Sequence, residues 1–220
     1  MTPQLHERGV GGHHGGTMAQ ARYPVRVNPP PSEALIRRVL GSNVLELKLT
    51  RLAIEEYDYT TTAKVTVVEG EQTVEVEGKG IGAVDAIFAA LLDRYAREYE
   101  SLKSIQLVAF HVVADMETKK AQAGLDSVGR VTLDVSNSEG KRFTFSDASR
   151  SVTISIARAV LVMVQFFVNS ERAFVTLFNA RRDAATRGRE DLVSRYTAEL
   201  SEVVESTSYA EVIENLKKSL

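Results

Sequence analysis

One succession of patterns runs through this sequence twice, and few folds accommodate that. From about residue 43, Leu45, Leu47 and Leu49 alternate with Glu46, Lys48 and Thr50, which is the spacing of a strand with one buried face. Residues 61–68 and 73–76 follow as alternating β-branched runs, with Glu69-Gly70-Glu71 between them as a hairpin turn. After Gly78-Lys79-Gly80-Ile81-Gly82 the period changes. Val84, Ile87, Phe88, Leu91 and Tyr95 recur at three and four residues, the stripe of an amphipathic helix. The second half repeats this order: strands over 105–114, 130–135 and 142–145, then Ser146-Asp147-Ala148-Ser149-Arg150, then a helix over about 151–168. At one constant offset Val65 falls on Leu133, Gly78 on Ser146, Val84 on Val152 and Ala89 on Ala157. The expectation is an α+β fold made of two βββα units, about 43–100 and 104–170.

The flanks read differently. Residues 1–31 combine five glycines with His6, His13 and His14 and end in Pro29-Pro30-Pro31. Such a segment buries too little apolar surface to offset its ordering entropy, so it is expected to be a flexible tail, and its histidines too loosely held to form a metal site. Ser32, Glu33 and the run Leu35, Ile36, Val39, Leu40 before Gly41 give a short helix over 32–42. Residues 171–220 read as further helices, with Phe174, Leu177, Phe178, Tyr196 and Leu200 at helical spacing and a last helix over 209–220.

The second-unit helix sets a stronger demand than the first. Val160 to Val164 and Phe166 to Val168 make it apolar on nearly every side, so it needs cover all round, from within the chain or from a second copy. Its apolar run over 156–168 is interrupted by Arg158 and Gln165 and is shorter than the roughly 20 residues a membrane span needs. With no cysteine and no basic-then-apolar leader, the expected setting is cytoplasmic and free of membrane. A net charge of −2 supplies no field for a nucleic-acid backbone, and Asp183, Glu190 and Asp191 dilute the arginines at 181–189.

Two polar clusters stand out. The first, Gly78–Gly82, links a strand to a helix. It reads either as a cradle of N–H groups for an anion, with Lys79 beside it, or as a tight turn whose glycines take positive φ. Neither the phosphate-loop ending nor the dinucleotide fingerprint is present. The second, Ala123-Gly124-Leu125-Asp126-Ser127-Val128-Gly129, is either an ordinary turn or a carboxylate and hydroxyl presented to a small ligand with an amino group. His111 is the one histidine outside the tail and has no sequence partner for acid–base work. No cofactor, metal or nucleophile motif accompanies it, so no catalytic residue is assigned.

Glu77-Gly78-Lys79-Gly80-Ile81-Gly82-Ala83-Val84-Asp85-Ala86 resembles the G-x-G-P-V-D-A segment of the regulatory domain of α-isopropylmalate and citramalate synthases, and 123–133 is similar to that domain's second signature. The resemblance spans about 44–170. It implies a homodimeric regulatory domain that, in the family, follows a catalytic barrel and binds a branched-chain amino acid such as leucine between its two units. By position, Gly78, Gly80, Val84 and Asp85 would shape one side of that pocket, and Gly124, Asp126 and Ser127 the other. The family's proline is replaced by Ile81-Gly82 and the threonine of the second signature by Leu125, departures that fit an altered or a lost effector specificity. With no barrel in this sequence, the resemblance implies a free-standing sensor, a subunit acting with a separate synthase chain, or a dimer that has lost its ligand.

Overall fold

A computed structural model describes residues 32–115 and 128–206. The expected tail, the residues Gly124, Asp126 and Ser127, and the expected helix over 209–220 lie outside the described residues. Helix α1 (Glu33–Leu40) leads into β1 (Leu47–Tyr57), β2 (Thr60–Glu69) and β3 (Gln72–Gly80), an antiparallel sheet in that order, and then α2 (Ala83–Tyr95). The second unit builds the same thing: β4 (Gln106–Asp115), β5 (Val128–Ser136) and β6 (Arg142–Ser149) form a second antiparallel sheet, followed by α3 (Val152–Thr186). Helix α4 (Glu190–Ser206) follows. The duplicated βββα architecture is therefore present.

Strand pairing locates the duplication residue by residue. Leu52 lies opposite Val65, as Phe110 lies opposite Leu133; Val65 lies opposite Val76, as Leu133 lies opposite Phe145. The constant offset holds for the middle strands alone. A two-residue turn at Gly70-Glu71 joins β2 to β3, whereas 137–141 join β5 to β6, with Asn137 Oδ1 accepting from the N–H groups of Glu139 and Lys141. The extra residues move the third strand and helix, so Gly78 corresponds to Asp147 rather than Ser146. The first turns of α2 and α3 then agree in burial: Ala86, Ile87, Ala90 and Leu91 in one, Ser155, Ile156, Ala159 and Val160 in the other.

Both third strands run further than their patterns suggest. Thr61 pairs with Gly80 and Gly129 with Ser149, so Gly78–Gly80 and Ser146–Ser149 belong to the sheets rather than to connecting loops. At that same end of the first sheet, Asp58 and Tyr59 both take positive φ, +43° and +64°, and fold β1 tightly back onto β2. Sequence pattern gave no sign of that turn, because neither residue is glycine.

Helix α3 settles how the apolar stretch is covered. It is one helix of 35 residues, with no break after Val168, because no glycine or proline interrupts it before Gly188 at φ +68°. Among the described residues it is the helix long and apolar enough, by length and composition, to cross a membrane. In this fold its first half packs on the second sheet, on α2 and on the start of β1. Phe143 and Phe145 of β6 meet Phe166 and Phe167 of α3 at ring separations of 5.2–6.0 Å. Its second half joins Leu35 of α1 and Val203 of α4 through Phe174 and Leu177. Burying a large apolar side chain contributes about 1.5–3 kcal/mol, so this cover is the main reason the two units hold together as one core.

Candidate functional site

The glycine-rich stretch takes its shape from helix packing. A Cβ built on Gly78 would stand 2.3 Å from Ala90 N and 2.4 Å from Ala86 O; one on Gly80 would stand 2.6 Å from Ala86 N. Helix α2 thus lies directly on the backbone of β3, closer than any side chain allows. Neither glycine has positive φ, so the expected tight-turn role is corrected, and so is the loop that the anion-cradle reading assumed. In the second unit the place of Gly78 is held by Asp147, buried, with Oδ2 unpartnered among the described residues. Ser149 and Ser155 share a 2.8 Å hydrogen bond where Gly80 and Ala86 touch.

What remains free at this junction is the start of α2. Gly82 is its N-cap in extended conformation, and no side chain caps the first turn. The N–H groups there face outward with the positive end of the helix dipole behind them. Asp85 lies exposed in the same turn, and Val84 is half-buried against the core. The buried Thr61 hydroxyl reaches Ile81 O at 3.4 Å, which fixes the bend between β3 and α2. Around this end of the first sheet three large apolar side chains stand in solvent: Tyr57 at 85%, Tyr59 at 93% and Ile81 at 85% exposure. The structure therefore brings Gly78, Gly80, Val84 and Asp85 together at one end of the first unit.

A cleft elsewhere was not expected. A cleft of about 440 Å³ lies between the two units, walled by Ile36, Leu47, Phe145, Val162 and Phe166. Along one side two amide side chains of α3 hold the start of β1. Gln165 Oε1 accepts from Leu47 N at 2.7 Å, Asn169 Oδ1 accepts from Leu45 N at 2.7 Å, and Asn169 Nδ2 donates to Leu45 O at 3.0 Å. The signal for this clamp was present in the sequence: two amides four residues apart on an otherwise apolar helix share one face.

His111 stands on the outer face of the second sheet, 61% exposed, with Nε2 3.7 Å from Asp134 Oδ2 and no hydrogen bond between them. The other Asp134 oxygen accepts from Thr144 Oγ1 at 2.6 Å. Among the described residues no group of three or more metal-ligating side chains occurs. Compared with models of protein families, the chain matches that of the LeuA allosteric (dimerisation) domain over residues 26–168. No curated protein matches it.

Proposed function

The chain belongs to the LeuA allosteric (dimerisation) domain family, a regulatory and dimerisation module, and from that we propose that it is a homodimeric sensor of a branched-chain amino acid. The observation that carries the reading is the exposed apolar end of the first unit. Tyr57, Tyr59 and Ile81 stand exposed at the end of the first sheet from which the uncapped α2 starts, a surface that a second copy would cover. The effector's carboxylate takes the free N–H groups of the first turn of α2, its ammonium faces Asp85, and its aliphatic body lies against Ile81 and Val84. Gly78 and Gly80 act from beneath, by seating α2 on β3 so that its first turn is held still. Gly124, Asp126 and Ser127 are proposed to close the pocket from the second unit.

Regulation then follows from differential affinity: a ligand touching both units favours the arrangement in which both contacts form. A separate synthase chain is the proposed reader of that arrangement. The test is thermal unfolding of the purified protein with leucine, isoleucine and valine. Effector at 100 times its Kd adds about 2.7 kcal/mol to the folded state, a rise of several degrees, and Asp85→Asn reduces it. A flat response to all three, with the dimer intact, overturns the effector reading and leaves a purely structural dimer.

A further inference from the structure

We propose a second small-molecule site, for a zwitterionic aliphatic amino acid, in the cavity where α1, the end of α2 and the second half of α3 meet. The cavity measures about 420 Å³ and includes Val39, Leu40, Glu98, Tyr99, Arg172 and Val175 in its wall. It lies on the far side of α2 from Gly82, and Arg172 and Val175 fall beyond the family segment 26–168, so it is independent of the effector reading above.

Arg172 is the centre of the argument. Its Nε donates to the Tyr99 hydroxyl at 2.8 Å, Nη2 donates to the same oxygen, and Nη1 donates to Asn43 O at 3.3 Å. The guanidinium also lies over the Tyr99 ring, 5.3 Å from its centre. These contacts fix its plane and use three of its five N–H donors. Among the described residues it has no ion pair, so a half-buried, oriented cation keeps two donors for a carboxylate.

The acids nearby decide between a simple anion and a zwitterion. Glu171 is committed: its two oxygens accept from Glu100 N at 3.3 Å and Ser101 N at 2.9 Å. Glu98 is not. Its Oε1 pairs with Arg94, its side chain is 54% exposed, and Oε2 is left for another cation. One fixed guanidinium beside two carboxylates repels a plain anion and suits a ligand carrying both charges. Val39, Leu40 and Val175 supply an apolar wall for a branched aliphatic side chain.

The experiment is a titration of the isotope-labelled full chain, followed by amide and arginine side-chain resonances. Its probes are leucine, 4-methylpentanoate, which lacks the ammonium, and 3-methylbutylamine, which lacks the carboxylate. Leucine is expected to shift Tyr99, Arg172 Nε and Val175 saturably, and each analogue to bind at least tenfold more weakly. Arg172→Lys keeps the charge but loses the fork, and is expected to weaken leucine at least tenfold. Glu98→Gln, at an exposed position that leaves folding intact, is expected to weaken leucine similarly and leave 4-methylpentanoate unchanged. Shifts confined to 81–86 would overturn this site while leaving the effector reading standing. Equal binding of 4-methylpentanoate and leucine, or unchanged leucine affinity in both variants, would overturn it as well.

Discussion

Two glycines do more than any polar residue to shape the candidate site. At Gly78 a methyl group would meet backbone atoms of α2, which do not swing aside as a long side chain would. Gly78→Ala is therefore expected to destabilise the fold by about 3 kcal/mol, the upper end of what overpacking costs. Gly82→Ala is the control, since nothing lies within 4 Å of its Cβ and its backbone is extended, so a change within about 0.5 kcal/mol is expected. Urea unfolding of the two variants checks the contrast, and equal midpoints would refute the packing role. The glycines themselves are plain in the sequence; their task is not. Both sequence readings looked along the chain, to a turn or to an anion. The cause stands across it, in Ala86 and Ala90. Tertiary contact of this kind leaves no local pattern at the glycine, though the alanines at i and i+4 facing it are a trace of it in hindsight.

Periodicity served best for the elements, because burial of one face is a local matter. It marked the strands and α-helices among the described residues, but stopped short of the ends of β3 and β6 and missed the far half of β1, where Leu52 and Ile54 are half-buried and Arg51 and Glu55 flank them. A bulge between Leu49 and Arg51 shifts the alternation by one residue, which hides the continuation from a period-two reading. The join between the units was equally hidden. Asn169 reads as a helix interruption, and it is in fact the residue that ties α3 to the start of β1 across the chain. Replacing it by leucine leaves the N–H and C=O of Leu45 buried without partners, each costing about 1–3 kcal/mol. Asn169→Leu is thus expected to lower stability by about 2–4 kcal/mol despite its more apolar side chain. Hydrogen exchange at Leu45 should accelerate in step, and an unchanged rate there would show that the clamp is ornamental to the fold.

At the scale of the molecule, the question is which surface meets a second copy. The outer faces of both sheets carry polar and charged residues such as Lys64, Glu75, Arg130 and Thr144, so neither face invites a flat hydrophobic contact. Among the described residues the most exposed large apolar side chains are Tyr57, Tyr59 and Ile81 at one end of the first unit, with Val108, Val112, Val113, Val152 and Val204 less exposed elsewhere. A stable twofold dimer buries about 1,600 Å² in total, and a self-complementary contact uses each of these side chains twice. Tyr59→Asp together with Ile81→Asp is expected to convert the dimer to a monomer in sedimentation velocity. The folded monomer should survive, because both side chains contribute almost nothing to its core, and aspartate suits the positive φ of position 59 better than tyrosine does. Lys64→Glu, on the outer sheet face, should leave the dimer intact. Tyr59→Asp alone leaves Ile81 and the first turn of α2 in place: if the partner completes the effector pocket, leucine-dependent resonance shifts at residues 81–86 disappear in its monomer, and shifts that persist there would place the whole pocket within one chain. A double variant that still sediments as a dimer would move the interface away from the first unit's end, and with it the reason for exposing two tyrosines and an isoleucine there.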